Sequence, residues 1–300
     1  MAARSKAHFV PPLDTSLLKR LRADDDNWWL EEANDNIAAL NKLLQTIPPR
    51  YTWQSLTADA FAQVAKSRTQ ALSADEAMLK MYRLYWHDML SQIEAFTIMS
   101  AWRLADLTRS AVWAVRRSDV LCAAIMSRAA LETTAAYSWL QTEIRPALEK
   151  VAASNSFNFV KYHDQGEVKD LEDKLLKVIH ASRLSGQEDF YKPTNITTVI
   201  DKIADKIPEQ RIVRDTYSKL CEVAHPNWAG RSLYITETKP NTIFGHELHT
   251  ISSHHGPTAT IIAREAVTAL SWSTGTYPLS CVALQSAIQK MVAHLKHITI

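Results

Sequence analysis

The chain has 300 residues, 46% apolar and 22% charged, which gives room for a substantial buried core in one large domain or two modest ones. Only six are glycine, which argues against barrels and turn-rich β folds and favours long helices. A net charge of +2 neither demands nor excludes nucleic acid, and three scattered cysteines without a CxxC argue against a disulfide framework or a thiolate zinc site.

The opening "MAARSKAHFVPPLD" has no apolar run of the kind a secretory leader carries, so a reducing cytoplasm is the expected compartment. "DTSLLKRL" starts with cap-type residues and reads as a short helix. "NWWLEEANDNIAALNKLLQTIPP" is a second helix, with Asn27 as its cap and Pro48-Pro49 as its stop. "TADAFAQVAKSRTQAL" is a third. Ser73 to Ser118 then runs without a glycine or proline, opened by a Ser73–Glu76 capping box. It is one very long helix, or two with a kink.

Asp119 caps the next helix, which carries "LCAAIMSRAALETTAAYSWL", and Pro146 opens a weaker one. A polar stretch from Ser154 to Pro193 holds a helix around "EVKDLEDKLLKVIHAS". "ITTVIDKIADKI" and "PEQRIVRDTYSKLCEVAH" form a pair. After His225 the texture changes to β-branched and aromatic residues around a Lys239-Pro240-Asn241 turn, which reads as a short hairpin or an ordered loop near residues 232–248. From Pro257 a long helical pattern returns, with a bend expected at Gly275 and Pro278. The fold class is all-α: a helical bundle with long helices and a small hairpin insert. Residues 1–70 read as a helical N-terminal extension and 71–300 as the bundle.

Two long uncharged runs raise the question of a membrane. Val120–Thr142 is interrupted only by Arg128 and Glu132, and Ala266–Gln289 is rich in Ser and Thr. A central charge costs about 2.5–3.5 kcal/mol on insertion scales, so buried helices of a bundle explain both runs better.

On a helical wheel at about 100° per residue, Arg128 and Glu132 fall on the stripe of Leu121, Ile125, Ala135 and Trp139. The pair is therefore expected to point at the core. Either it is an i,i+4 pair satisfied by a neighbouring helix, or it forms a polar site in which Arg128 holds an anion. A second polar stripe, Arg214, Ser218, Cys221 and His225, borders the apolar arc of its helix. Pro226 frees His225 where the chain turns. That histidine either closes the helix, in keeping with the macrodipole, or acts with Asn227 as a proton-transfer group in a cleft.

"SRAALETTAAYSWL" together with "YSKLCEVAHPNWAGRSLY" resembles proteins of the HEPN-like superfamily, from about Ala71 to the C-terminus. The resemblance implies an α-helical bundle. It also implies metal-independent endoribonuclease activity in a toxin–antitoxin or phage-defence setting, in a dimer whose two catalytic helices face one cleft. The usual signature is Arg, four to six residues, then His. His225 takes the place of the histidine, but no arginine stands at that spacing. Lys219 occupies the slot five residues before it, or Arg128 supplies the guanidinium from the other helix, oriented by Glu132. Asn227 follows the histidine instead of preceding the motif. In this reading His225, Arg128, Glu132, Asn227 and Lys219 carry the chemistry. Arg214, Trp228, Arg231 and Tyr234 bind RNA, and no cofactor or metal is needed. The resemblance further implies an antitoxin or other defence-system partner protein. The alternative is a non-catalytic sensor or scaffold that binds a partner protein or a small anion.

"GHELHTISSHH" gathers His246, His249, His254 and His255, but it lacks the HExxH spacing and a nearby Cys or Asp to complete a set. It reads as a solvated loop.

Overall fold

The computed structural model describes residues 9–13, 28–53, 62, 66, 73–153, 171, 174–175, 195–206, 211–241, 246–253 and 255–298. Seven helices and one two-stranded sheet make up these residues, in an all-α fold with a small hairpin. They are α1 (Trp28–Leu44), α2 (Ala74–Arg116), α3 (Val120–Ala152), α4 (Ile196–Lys206), α5 (Arg211–Ala224), α6 (Trp228–Ser232), β1 (Ile235–Asn241), β2 (His246–Ile251) and α7 (Thr258–His297). The helices expected over 14–21 and 57–72 and around 167–182 lie largely or wholly outside the described residues, as does Asn27.

Local chemistry accounts for several helix ends. The backbone N–H of Ser73 donates to Glu76 Oε2 at 2.8 Å, and the N–H of Glu76 donates to Ser73 Oγ at 3.2 Å. This is the reciprocal capping box that satisfies two otherwise orphaned donors. Asp119 Oδ1 accepts from the N–H of Cys122 at 3.1 Å and starts α3. Between these helices Ser118 takes a positive φ of 59°, the left-handed turn that ends α2.

The region from residue 74 to 116 is one unbroken helix. Pro146 does not open a separate helix but lies inside α3. Pro146 and the preceding turn's Thr142 are both exposed, so the carbonyl that the proline leaves unpaired can bond to water. Gly275 and Pro278 likewise sit within the continuous α7.

The described residues divide into two compact units. One draws on Met1–Ile47, Ala101–Ala135 and Ile196–Pro278, and the other on Pro48–Ser100, Ala136–Asn195 and Leu279–Ile300. In the first, α1 buries Leu30, Ala33, Ile37 and Leu40, one face at helical spacing. Carboxamides of that helix hold the preceding segment: Asn41 bonds both backbone groups of Val10, and Asn34 Oδ1 accepts from the N–H of Leu13 at 2.7 Å. The strongly amphipathic α4 and α5 bury Val199, Ile200, Ala204, Val213, Tyr217, Leu220 and Val223. In the second unit the core is built on Trp86, Ile93, Tyr137, Leu140, Ile144 and Met291. There the Thr97 and Tyr137 hydroxyls meet at 3.0 Å, and those of Ser138 and Ser280 at 2.9 Å.

The hairpin is antiparallel, with Thr238 opposite His249, Lys239 opposite Leu248 and a register shift between Ile235 and Glu237. Lys239-Pro240-Asn241 is not the turn expected from the sequence. These residues lie in β1, and Pro240 pairs in register with Glu247. A proline is tolerated there because each strand of a two-stranded sheet has a free edge. No helix among the described residues is long and apolar enough to cross a membrane.

Candidate functional site

The charged pair of α3 sits beside the core instead of inside it. Around the pair the buried side chains are Val120, Ala123, Ala124, Ser127, Ala130, Leu131, Thr134 and Ala135; they centre roughly a third of a turn away from Arg128 and Glu132, and on the pair's own stripe Ala135 and, further on, Trp139 are buried. Ile125, on the pair's own stripe, is 40% exposed. The small residues of α3 make the close-packed face, which an apolarity count alone assigns to the larger side chains. Arg128 and Glu132 keep 26% and 29% of their side-chain surface and bond through Nε and Oε1 at 3.0 Å.

Tyr217 of α5 closes this group. Its ring is buried, its hydroxyl donates to the same Glu132 Oε1 at 3.1 Å, and the Arg128 guanidinium lies 5.6 Å from its ring centroid. Burial, followed by the neighbouring Cys221 and the Glu132 carboxylate, pushes the Tyr217 phenol up to about 12. Burial works most strongly against the Arg128 charge, but Glu132, Cys221 and Tyr217 together outweigh it, and the guanidinium holds its proton more tightly than usual. One carboxylate oxygen thus serves a cation and a phenol at once.

Two more of the cations named from the sequence have carboxylate partners. Lys219 Nζ meets Glu265 Oε1 at 2.5 Å, and Thr216 Oγ1 donates to the second oxygen of that glutamate at 2.8 Å. Arg214 bridges α5 to α4, meeting Asp201 at 2.8 Å and Asp205 at 2.7 Å.

His225, Asn227, Trp228 and Arg231 come together at the end of α5. The N–H of His225 donates to the carbonyl of Cys221 at 3.1 Å, a last helical bond, and its own carbonyl accepts from the N–H of Asn227 at 2.8 Å. Its ring is exposed and has no hydrogen-bond partner among the described residues. Asn227 caps α6: its side-chain oxygen accepts from the N–H of Gly230 at 3.2 Å, while Nδ2 donates to Glu222. Gly230 is needed for this turn. A Cβ there would stand 2.7 Å from the carbonyl oxygen of Val223 and 2.8 Å from that of His225, so α6 is laid directly on the end of α5.

Trp228 projects from this corner, 62% exposed, with its ring steeply inclined to that of His249 of β2 and 6.2 Å between centroids. Arg231 is exposed and donates from Nε to the carbonyl of Asn227 at 3.2 Å. Of the cations named from the sequence, it alone lacks a carboxylate partner among the described residues. Tyr234 lies further on, with its ring tilted against His255 at 5.4 Å.

The structure therefore separates the sequence-derived residues into distinct groups. Arg128 and Glu132 meet Tyr217, which precedes His225 by eight residues, about 12 Å along an α-helix. Lys219 meets Glu265, and Arg214 meets the acids of α4. Tyr217 had a signal in the sequence, as a tyrosine on the core arc whose hydroxyl needs a partner. Glu265 had none, because it is 46 residues from Lys219 in the chain.

Beside the corner, a groove of about 380 Å³ opens between α6, the hairpin and the start of α7. Trp228, Thr236, Glu237, Thr238, Glu247 and His249 line it. Among the described residues no three His, Cys, Asp or Glu side chains gather as a metal site requires. No protein-family model, curated protein or solved structure matches the chain.

Proposed function

We propose that this chain is a HEPN-like protein that cleaves RNA without a metal, working from the corner at the end of α5. The observation that supports it is the gathering of an exposed, unbonded His225 with Arg231 and Trp228 within seven residues, held by the Asn227 cap. In this reading His225 takes the proton from a ribose 2′-hydroxyl, and that oxygen attacks the adjacent phosphorus. The bond to the 5′-oxygen breaks, giving a 2′,3′-cyclic phosphate and a 5′-hydroxyl that receives a proton. Arg231 is the cation for the phosphorane, because Arg128 and Lys219 are engaged by carboxylates. A single imidazole cannot take and give protons at the same moment. The His225 of a second copy would supply the other transfer, in keeping with the dimer that the family resemblance implies.

Incubation with single-stranded RNA in the presence of a chelator, with analysis of product ends, tests this. His225→Ala and Arg231→Ala should each lower cleavage at least about a hundredfold. Both side chains are exposed, so the melting temperature should hardly move. Full cleavage by His225→Ala would remove the proposal.

A second reading, a non-catalytic sensor or scaffold subunit, is favoured by the mutual satisfaction of Arg128, Glu132 and Tyr217. If the wild-type chain leaves RNA intact, and Arg128→Ala only lowers stability, that reading takes its place.

A further inference from the structure

The groove beside Trp228 has a lining that narrows the class of ligand it suits. Its aromatic wall is open: Trp228 is 62% exposed. An open indole beside polar groups is a stacking platform for an unpaired base.

Of the hydroxyls in the lining, Ser232 Oγ donates to the carbonyl of Ala229 at 2.8 Å, Thr236 Oγ1 donates to the carbonyl of Thr250 at 3.1 Å, and Thr238 Oγ1 bonds His249 Nδ1 at 3.0 Å. What remains for a ligand is the Thr258 hydroxyl and the carboxylate of Glu247, which alternates onto the same face of β2 as His249. Glu237 alternates onto the face opposite Thr238 and pairs with Lys239 at 2.7 Å. Beside the Trp228 ring, an acceptor carboxylate suits a base that presents a donor edge.

Guanine alone among the four RNA bases carries two adjacent N–H donors, N1–H and the exocyclic N2 amino group, on its Watson–Crick edge. One carboxylate can accept both. Adenine and cytosine present a single amino group there, and uracil a single N–H. The volume of about 380 Å³ is at the small end of the range for ligand pockets and accommodates one base.

We propose that the groove is a guanine subsite, with Trp228 stacking on the base and Glu247 accepting from its N1–H and N2 amino group. The proposal rests on the reading of the adjacent corner as RNA-directed, and it makes cleavage selective for positions next to a guanine.

Ligand-observed NMR titration of the full chain with guanosine, adenosine, cytidine and uridine 5′-monophosphates tests the groove apart from cleavage. Guanosine monophosphate should bind at least about tenfold more tightly than the others, and inosine monophosphate, which lacks the amino group, should fall between. Trp228→Ala should weaken binding of all of them by about fivefold or more. Glu247→Gln should reduce the guanine preference to about twofold or less. These side chains line an open groove, and far-ultraviolet circular dichroism checks that each variant is folded.

Equal binding of the four nucleotides would overturn the proposal, as would a guanine preference that survives in Glu247→Gln or binding that Trp228→Ala leaves unchanged. Binding of N-acetyl-lysine amide in their place would overturn it too, since that would make the groove a cation site. A guanine preference in a chain that cuts no RNA would uphold the subsite and remove the ribonuclease reading. RNA cleavage without a nucleotide preference would do the reverse.

Discussion

Replacing Tyr217 with Phe removes one hydroxyl and nothing else from the Arg128–Glu132–Tyr217 group. The hydroxyl donates to Glu132 Oε1, which also accepts from Arg128. A hydrogen bond to a charged group contributes roughly 1.5–3 kcal/mol when desolvated, and less when water can stand in. Glu132 keeps 29% of its side-chain surface, so water can reach the vacated position in part. The expected loss is about 1 kcal/mol, a fall of about 2–4 °C in melting temperature for a chain of this size. The decisive measurement is a double-mutant cycle with Glu132→Ala, read by urea unfolding at neutral pH. If the hydroxyl acts through Glu132, Tyr217→Phe should cost close to nothing once the carboxylate is absent, giving a coupling of about 1 kcal/mol. An equal cost in both backgrounds would refute this account and assign the hydroxyl's contribution to another neighbour, with Cys221 the first to examine.

The same phenol gives an alkaline signature. Its ionisation is displaced upward to about 12, so the folded state holds the proton more tightly than the unfolded chain does. Its contribution to stability is therefore complete below the ordinary value of about 10 and is lost between there and about 12, and Tyr217→Phe should flatten that part of the stability profile. His294 behaves in the opposite sense. Burial beside Tyr82, whose hydroxyl lies 3.2 Å from His294 Nε2, lowers its pKa below the usual 6.5. The folded state thus favours the neutral ring; stability is full above about 6.5 and falls as the pH drops below it, and His294→Phe should reduce the slope of melting temperature against pH in that acid range. Gly230→Ala should cost about 1–3 kcal/mol, because its methyl group meets two backbone carbonyls that cannot rotate away, and thermal unfolding will measure it.

What could be read from the sequence was mostly what is decided within one turn of chain. Ser73 and Glu76 stand three residues apart and cap each other, and Leu30, Ala33, Ile37 and Leu40 repeat at helical spacing along one face. The hairpin after His225 was legible from its β-branched residues, but its turn was misplaced. A Lys-Pro-Asn run signals a turn locally, whereas here strand pairing with Leu248, Glu247 and His246 extends β1 through it. Pro146 failed as a boundary for a similar reason, because a long helix held on both sides absorbs one missing bond. The charged stripe of α3 misled for a different reason. Alanine contributes little to an apolarity pattern, yet the alanines mark where another element approaches most closely.

For the site, His225, Asn227, Trp228 and Arg231 were legible as a cluster because they are consecutive in the chain. The partners that occupy Arg128, Lys219 and Arg214 come from other helices, and no spacing rule reaches them. The groove was invisible for the same reason, since it needs β2 folded back beside α6.

The assignment of residues to the two units has a consequence for how this chain can change over generations. The polypeptide passes from one unit to the other at Ile47–Pro48, Ser100–Ala101, Ala135–Ala136, Asn195–Ile196 and Pro278–Leu279, and three of these passages fall inside α2, α3 and α7. No single break in the coding sequence yields either unit whole. Shuffling of gene segments, which readily trades modules joined by one linker, would cut helices here. The chain is bound to be inherited and lost as one piece, and its diversity must accumulate by substitution and by insertion at loops such as the hairpin.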